Sequence, residues 1–328
     1  KTTIINTLVR IFEFAGLSFA LAAPTGRAAK RMEEATGKPA MTIHRLLEFV
    51  WSDEEDTLNF GRNEDNPLEQ DVVIIDEASM IDLMLMDGLL NAVKDGTRLI
   101  FTGDADQLPS VGAGNVLHDI LASDAVPNVR LCDIFRQDES SMIVLNAHKI
   151  NHGEMPVLKN KDTDFFFEKK MLQSEAAQTI CQLLQTRLPK YLRFPEDRWR
   201  SEAVRTIQVL TPTKKGDCGA INLNQLLQAA LNPEKPGQDT ITHGETSFRV
   251  GDKVIQTKND YQLEWRRLTS TGWEDGQGVF NGDVGYIVRM DPAEHMLTVC
   301  FDDDRFVTYQ KQQLDALEPV SYTHLTLP

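Results

Sequence analysis

The chain has 328 residues, with 41% apolar and 25% charged side chains and a formal net charge of −15 at pH 7. This composition is typical of a water-soluble globular protein of about two domains and excludes a disordered chain. No run approaches the ~20 consecutive apolar residues of a membrane-spanning helix, so we expect no membrane partner. The negative charge does not exclude a nucleic-acid partner, because binding depends on the local field.

The cysteines and the start of the chain bear on its location. Cys132, Cys181, Cys218 and Cys300 are far apart and form no CxxC pair, which favours neither a zinc site nor a disulfide framework. This pattern indicates reduced thiols in a cytoplasmic protein. The chain opens on Lys1 rather than Met and shows no signal peptide, so we expect a missing upstream segment.

The first third of the chain alternates between helix and strand patterns. Residues 4–15 carry apolar side chains at helical spacing, and residues 27–36 predict a second helix. Short apolar runs at 17–23, Val72–Ile75 and 98–102 predict strands. Short strands separated by helices predict a parallel sheet covered on both faces. Such sheets bind ligands at the carboxyl ends of their strands.

The rest of the chain changes character more than once. The acidic stretch 48–71 predicts a β-hairpin insertion. Residues 173–195 predict a helix and residues 206–210 a strand, which indicates a second α/β unit. From about residue 246, several short β-rich runs predict a small barrel. The last residues, 321–328, match neither pattern.

Three polar motifs either begin a predicted helix or follow a predicted strand. Lys1-Thr2-Thr3 precedes an apolar helix, as at the end of a P-loop, although alone it is weak evidence. Asp76-Glu77 ends a strand in a Walker-B arrangement; the alternative is an acidic pair at a helix start. Gln107 follows a third strand and could contact a γ-phosphate, with an ordinary turn as the alternative. Their order and spacing together favour an ATP-hydrolysing site.

A wider set of motifs carries a family resemblance. The chain resembles the superfamily 1 helicases, and more narrowly their RecD-like branch, the exodeoxyribonuclease V alpha subunit type. The matching segments correspond to motifs I, Ia, Ib, II, III and IV and are Lys1-Thr2-Thr3, APTGRAA (23–29), TIHRLL (42–47), DEASM (76–80), GDADQLPSVGAG (103–114) and IFRQ (134–137). The resemblance extends to about Val320.

The resemblance implies an α/β fold of tandem RecA-like P-loop NTPase domains with a small inserted SH3-like β-barrel. The implied divisions are a first motor domain at 1–125 with a β-hairpin insertion at about 48–71, an incomplete second motor domain at 126–245, the SH3-like insertion at 246–316 and a truncated or foreign tail at 317–328.

The resemblance also implies the ATP-binding residues. Lys1, Thr2 and Thr3 would bind the ATP phosphates, and Thr2 together with Asp76 would hold Mg²⁺. Gln107 and Arg136 would complete the contacts to the nucleotide. ATP and Mg²⁺ are therefore the expected cofactors.

Four residues have implied catalytic roles. Asp76 would support the metal, and Glu77 would orient or deprotonate the attacking water. Gln107 would couple the γ-phosphate to domain movement. Arg136 would reach over from the second domain and stabilise transition-state charge; the alternative is a surface arginine.

A translocating motor must grip a single strand through phosphates and base faces, because it moves over any sequence. The candidate DNA-binding residues are Pro24, Thr25, Gly26, Arg27, Thr42, His44, Thr213, Lys214 and Asn259, with His148, Tyr261 and Asn281 as weaker candidates. For the two histidines, a packed or capping role is an equal alternative. Trp51 could belong to a strand-separating wedge or pack its own hairpin.

We therefore predict an ATP-dependent DNA helicase or translocase that moves 5′→3′ on single-stranded DNA, acts at forks, and serves DNA repair or recombination. Nuclease or helicase subunits are possible partners. The alternatives are the helicase portion of a conjugative relaxase and a catalytically idle DNA-binding subunit. The P-loop glycines and motifs V and VI are absent, so we expect negligible turnover from these 328 residues alone.

Overall fold

The structure is a computed structural model. It describes residues 2–52, 57–131, 141–159, 161, 163–244, 246–269, 272–301, 304–320 and 322–324.

The first part of the chain folds around a four-stranded parallel sheet. Its strand order is β2-β1-β5-β6, and every neighbouring pair is parallel. The elements, in chain order, are α1 (Thr2–Phe14), β1 (Phe19–Ala23), α2 (Gly26–Thr36), β2 (Met41–Thr42), α3 (Ile43–Leu46), β3 (Phe49–Ser52), β4 (Thr57–Phe60), β5 (Val72–Ile75), α4 (Leu83–Ala92), β6 (Arg98–Phe101) and α5 (Val116–Ser123).

Strand β5 explains why this sheet is covered on both faces. All four of its side chains are buried, and successive side chains in a strand point to opposite faces. Val73 and Ile75 belong to the core beneath α4, whereas Val72 and Ile74 belong to the core that includes Ile5 of α1. The continuous apolar run in the sequence is therefore the pattern of a strand with protein on each side.

The predicted hairpin insertion is β3 paired antiparallel with β4. Phe49 lies opposite Phe60 in the register, and their ring centroids are 5.8 Å apart. A Cβ added at Gly88 of α4 would lie only 2.6 Å from Cδ2 of Phe60. Because Gly88 has no side chain, the base of the hairpin packs directly on α4. Residues 53–56 at the tip, and the Trp51 side chain, lie outside the described part.

The second part is mainly helical where it is described. Its elements are α6 (Met142–Asn151), α7 (Gln173–Gln182), a π-helical turn (Leu183–Arg187), α8 (Leu188–Tyr191), α9 (Trp199–Thr206), β7 (Val209–Thr211) and α10 (Ala220–Leu231). The strand predicted at 206–210 begins later, at Val209, because α9 extends through Thr206 and Ile207 N–H still donates to Ala203 O at 3.0 Å. No helix in the described ranges is long and apolar enough to cross a membrane.

The third part is an antiparallel β structure. Its elements are β8 (Thr240–His243), β9 (Thr246–Arg249), β10 (Lys253–Gln256), β11 (Asp260–Thr269), β12 (Gly272–Val279), β13 (Val284–Asp291), β14 (Met296–Phe301), β15 (Arg305–Tyr309), a 3-10 helix (Lys311–Ala316) and β16 (Leu317–Pro319). Seven strands form one sheet in the order β12-β11-β15-β14-β13-β10-β16, and β8 pairs with β9.

This sheet differs from the predicted barrel because its described strands do not close. Strands β12 and β16 are the two ends of the order. The first four residues of β12 are exposed, whereas its last two are buried, so only the root of the β11–β12 hairpin packs on the core. The sheet also extends past residue 316, since β16 pairs with β10.

A last strand, β17 (Tyr322–His324), lies near the end of the chain. It pairs in parallel with β7, with Tyr322 opposite Val209. Part of the segment for which the sequence predicted no structure therefore adds a strand beside the second unit.

Asp252 joins the second and third parts. Its carboxylate accepts hydrogen bonds from Gln228 Nε2 at 2.6 Å and Asn232 Nδ2 at 2.8 Å, both on or next to α10. It also accepts the backbone N–H of Arg249 at 2.8 Å. Burial raises the pKa of Asp252, and these hydrogen bonds oppose the shift. The anchor fixes the β9–β10 turn to the C-terminal end of α10.

Two adjacent leucines of α4 test the first core. Leu89 is fully buried, whereas Leu90 is 54% exposed. We expect Leu89→Ala to lower the free energy of unfolding by about 2–5 kcal/mol, because it removes buried methyl groups and leaves a cavity. The matched variant Leu90→Ala should change it by less than about 1 kcal/mol. Urea denaturation measures both, and equal losses would contradict the difference in burial between the two side chains.

Candidate nucleotide and DNA site

Three of the predicted motifs lie at one edge of the parallel sheet. Strands β1, β5 and β6 are neighbours, so their carboxyl ends point to the same side. The Asp76 backbone N–H donates to Ala22 O at 2.9 Å, and Thr102 N–H donates to Ile75 O at 2.8 Å. These bonds continue the ladder beyond the strands and fix where the predicted site residues begin.

The carboxylate of Asp76 is held by two donors. Its Oδ1 accepts the Thr102 hydroxyl at 2.6 Å and the Glu77 backbone N–H at 2.8 Å. The Thr102 carbonyl in turn accepts the Ala78 N–H at 3.0 Å. Sequence reasoning did not predict a role for Thr102. The available signal was a hydroxyl residue at the end of the strand next to Asp76.

Glu77 has an unusual backbone conformation. Its φ of 52° and ψ of 42° lie in the left-handed region, which non-glycine residues rarely adopt. It precedes a 3-10 turn, Ala78–Met80, and its side chain makes no capping bond to that turn. The cap of the following helix is instead Asp82, which accepts Leu85 N–H at 2.8 Å. The helix-cap alternative for the acidic pair therefore has no geometric support at Glu77.

Gly103 connects the third motif to this turn. A Cβ added there would lie 2.5 Å from Leu117 Cδ2 and 3.3 Å from the backbone nitrogens of Ala78 and Ser79. The absence of a side chain lets the chain after β6 pass directly against the turn that follows Glu77. Because the two segments are in close contact, a displacement of the chain after β6 would displace the Ala78–Met80 turn, and the reverse also holds.

The Gln107 side chain is held within its own loop. Its Nε2 donates to Asp104 Oδ2 at 3.3 Å, and Asp104 Oδ1 accepts the Asp106 N–H at 3.1 Å. Asp104 and Asp106 also line a cavity of about 440 Å³ together with His148 of α6. The loop of Gln107 therefore faces the first helix of the second part.

The end of this loop packs on α4. The Ser110 hydroxyl is buried and contacts the carbonyls of Gly112 and Gly114 at 3.0 and 3.1 Å. A Cβ at Gly112 would lie 2.8 Å from Asp82 Cβ. The glycine thus permits contact with the residue that caps α4, a second position that sequence reasoning did not single out.

The residues at the start of the chain are only partly described. Thr2 is the first residue of α1, and Thr3 lies in its first turn with its carbonyl accepting the Thr7 hydroxyl at 2.9 Å. Lys1, the Thr2 side chain and Arg136 lie outside the described part. Their assigned roles remain predictions.

Two threonines predicted to bind DNA begin helices at adjacent strands. Thr25 Oγ1 accepts Ala28 N–H at 3.3 Å, and Thr42 Oγ1 accepts Arg45 N–H at 3.2 Å. Residue 42 pairs with Ala23 in the register of β1 and β2. A hydroxyl that accepts a capping bond keeps its own hydrogen to donate, so both caps remain able to bind a phosphate oxygen. Beside them, Pro24 and Gly26 are half-buried and Arg27 is exposed.

His44 has the contacts of a packed residue. Its half-buried ring lies edge-on to Phe49, with ring centroids 5.5 Å apart. Burial lowers the pKa of His44, and the negative charge of Asp82 partly opposes this. The imidazole is consequently biased towards its neutral form, which gives a phosphate no added charge.

The other DNA-binding candidates lie on two loops. Thr213 and Lys214 are exposed, and their carbonyls accept the N–H groups of Ala220 and Ile221 at 2.9 and 3.1 Å. Their loop is thus fixed to the start of α10 while the side chains face solvent. The Asn259 side chain instead holds the turn at Asn281, because its Oδ1 accepts the Asn281 backbone N–H at 2.9 Å.

Two groups of predicted DNA-binding residues lie close together, although they are far apart in the sequence. A Cβ at Gly26 would lie 3.7 Å from Phe280 Cβ, in van der Waals range. Gly26 is the first residue of α2, directly after the short β1–α2 connection, and Phe280 adjoins Asn281 in the turn after β12. The structure therefore brings the 24–27 segment together with the turn that Asn259 holds.

The donor set at the sheet edge suits Mg²⁺ held jointly with a nucleotide. Within the described ranges, no three His, Cys, Asp or Glu side chains converge as a metal cluster. Mg²⁺ commonly uses one or two carboxylates, substrate phosphates and water. Asp76 at the strand end supplies one such carboxylate.

Comparison with known protein families identifies the class of protein. Residues 1–174 match a family described as AAA domain, and residues 223–301 match the ATP-dependent RecD-like DNA helicase SH3 domain. The chain belongs to this AAA-domain family, and its β-rich part is similar to the SH3 domain of RecD-like helicases. The sequence-based resemblance and the predicted combination of a P-loop NTPase fold with an SH3 domain are confirmed.

Individual relatives agree with this assignment. The chain is 34% identical over 302 residues to the ATP-dependent RecD2 DNA helicase of Deinococcus radiodurans, covering 92% of the chain and 36% of that protein. It is 28% identical to the RecBCD enzyme subunit RecD of Mycolicibacterium smegmatis, covering 98% of the chain and 58% of that protein. The chain thus spans between about one third and three fifths of these relatives.

A solved structure shows a similar fold. It contains two coordinating Pif1 helicases at forked double-stranded DNA, and it matches with a TM-score of 0.50 and 20% identity. The match covers 99% of this chain and 75% of the Pif1 chain.

The packing of His44 leads to a pH-dependent stability. Its folded-state pKa is lowered, so the unfolded chain binds more protons as the pH falls through the ordinary histidine range near ~6.5. We expect the free energy of unfolding to fall between pH 7.5 and pH 5.5, roughly the window of histidine titration, and to fall less in His44→Gln.

Urea denaturation of both proteins at several pH values measures this effect. At about pH 8, where histidine is neutral in both states, the difference between the two proteins reports only lost packing. Parallel stability curves for the two proteins would show that His44 does not contribute.

Proposed function

We propose that the protein carrying this chain is an ATP-dependent DNA helicase or translocase of the RecD-like type. The observation that carries the proposal is the arrangement at the end of β5. Asp76 is locked by the Thr102 hydroxyl, and Glu77 projects from a left-handed backbone beside it. The similarity to the ATP-dependent RecD2 DNA helicase of Deinococcus radiodurans supports this proposal.

ATP hydrolysis would use residues from two elements at the sheet edge. Lys1, Thr2 and Thr3 at the start of α1 would bind the phosphates. Mg²⁺ would be held by Thr2 and Asp76 and, when bound, would neutralise charge on the phosphate oxygens. Glu77 would hold the attacking water and accept its proton. The fixed orientation of Asp76 gives this site its preorganisation.

Coupling to movement would pass through the third motif. Gln107 would exchange its hydrogen bond with Asp104 for one to the γ-phosphate. Because the same loop faces α6 across the cavity lined by His148, a shift of Gln107 would be transmitted to the second part. Arg136 of that part would reach the γ-phosphate and stabilise transition-state charge.

Single-stranded DNA would run over the carboxyl ends of β1, β2 and β7. Thr25 and Thr42 offer hydroxyl donors, and Arg27 and Lys214 offer exposed positive charge. Such contacts recognise phosphates and are indifferent to base sequence. We propose 5′→3′ movement on single-stranded DNA and at forks, within cytoplasmic DNA repair or recombination, either alone or with nuclease or helicase subunits.

Glu77→Gln tests the catalytic assignment. In the full-length protein we expect DNA-stimulated ATP hydrolysis and forked-DNA unwinding to fall by at least about 100-fold, because the amide cannot accept a proton. Affinity for single-stranded DNA should stay unchanged. The matched control is Glu69→Gln, at an exposed position of the same unit. Unwinding at the wild-type rate by Glu77→Gln would refute the assignment.

Thr102→Val tests the fixed orientation of Asp76. The variant keeps the shape of the side chain and removes the hydroxyl that donates at 2.6 Å. We expect Mg²⁺-dependent affinity for a fluorescent ATP analogue to fall about ten-fold, since one hydrogen bond to a charged group is worth roughly 1.5 kcal/mol. Thr102→Ser retains the donor and should bind like wild type. Equal affinities in all three proteins would show that the hydroxyl is not required.

A further inference from the structure

The 280–283 turn, which connects β12 to β13, is the part of the antiparallel sheet that reaches Gly26. The Phe280 ring folds back over Gly278, where an added Cβ would lie 3.0 Å from Cζ of that ring. Gly278 also has a positive φ of 102°, a conformation that favours glycine. The turn therefore has one defined shape, with Phe280 Cβ towards Gly26 and Asn281 exposed at its outer side.

A buried ion pair joins the two ends of this turn. Arg305 Nη1 donates to the Gly278 carbonyl at 2.8 Å, and Arg305 Nη2 donates to Asp283 Oδ2 at 2.8 Å. The same Asp283 oxygen accepts the Phe280 backbone N–H at 3.0 Å. The Arg305 side chain is 10% exposed and that of Asp283 17%. One guanidinium thus binds both Gly278, near the end of β12, and Asp283, the residue that closes the turn.

A second buried group supports the turn from below. Gln256 N–H donates to the Asp283 carbonyl, and the Gln256 carbonyl accepts Gly282 N–H, both at 2.8 Å. The Gln256 side chain is held by the Tyr309 hydroxyl, which donates to Oε1 at 2.8 Å. Burial raises the pKa of Tyr309, and the charge of Asp283 raises it further, so the phenol remains a donor.

These buried polar groups are poorly explained by stability alone. A buried ion pair gives little net stabilisation, because desolvation offsets the attraction, yet removing one partner is strongly destabilising. Fully satisfied polar networks instead specify one conformation. Here the conformation that they specify is that of a surface turn beside Gly26, which follows Thr25, the N-cap of α2.

We propose that Arg305 and Asp283 are positioning residues that hold the 280–283 turn against Gly26, so that the turn and the 24–27 segment form two walls of one single-strand track. This proposal rests on the proposed DNA-binding function. Neither Arg305 nor Asp283 contacts the DNA; both act through the backbone of the turn and the residues that it presents.

Disulfide trapping tests the position of the turn directly. The 3.7 Å between the two Cβ positions lies within the 3.5–4.5 Å range of disulfides. In a protein whose native cysteines are replaced by serine, we expect Gly26→Cys with Phe280→Cys to cross-link under mild oxidation. Adding Arg305→Lys or Asp283→Asn should slow cross-linking about ten-fold, because neither replacement keeps all the bonds of the pair.

The matched control is Arg266→Lys, at an exposed ion pair with Asp275 on β11 and β12 of the same sheet. It should leave cross-linking unchanged. If Arg305→Lys and Asp283→Asn also cross-link at the unmodified rate, the ion pair does not position the turn and the proposal is overturned.

DNA affinity supplies the second measurement, on proteins without the added cysteines. We expect Arg305→Lys and Asp283→Asn to raise the Kd for a fluorescent oligo-dT about ten-fold, the size of one or two lost hydrogen bonds, and to leave ATP-analogue affinity unchanged. Loss of both affinities would indicate general unfolding and count against a positioning role. A wild-type protein that fails to bind oligo-dT would refute the proposed function, whereas wild-type-like affinity in both variants would refute this inference alone.

Discussion

The burial of β5 on both faces is the constraint on which the site depends. Val73 and Ile75 are held against the core beneath α4, and Val72 and Ile74 against the core beneath α1. A strand fixed on both sides cannot rotate or slide without exposing apolar side chains. Its carboxyl end therefore presents Asp76 and Glu77 at a defined place, and the neighbouring strands bring Thr102 and the loop after β1 to the same edge.

The sequence predicted the parts of this arrangement that depend on local pattern. The continuous apolar run at 72–75 indicated a buried strand, and the polar residues after it indicated the functional edge. The Thr102–Asp76 bond joins residues 26 positions apart, so no local pattern reveals it. The strand predicted at 206–210 starts late because α9 continues through Thr206 and ends at Ile207, whose N–H still donates to Ala203 O. The open sheet and the pairing of β17 with β7 likewise depend on contacts between distant segments.

Several close contacts in the structure occur at glycines, where the missing side chain allows close packing. Because Gly88 has no side chain, the Phe60 ring packs directly on α4. Gly103 likewise lets the chain after β6 pass close to the turn at Ala78, and Gly278 leaves room for the Phe280 ring. At Gly88 and Gly103 the contact joins two elements that are separate in sequence, whereas at Gly278 it is a local contact with the residue two positions further on. These glycines thus lie at close contacts in the fold. The number of glycines in the sequence does not show which of them have this role.

The left-handed backbone of Glu77 has a consequence for which residues this position can hold. The conformation costs about 1–2 kcal/mol for an ordinary residue, and Asn and Asp adopt it most readily after glycine. Asp is one methylene shorter than Glu, and Asn carries an amide, so relief of the strain would shorten the arm that carries the carboxylate or remove the carboxylate altogether. Position 77 therefore has a longer carboxylate side chain and an unfavourable backbone conformation. The buried strand β5, which precedes this residue, maintains the left-handed conformation, because the sheet holds Glu77 in a backbone conformation that it would seldom adopt alone.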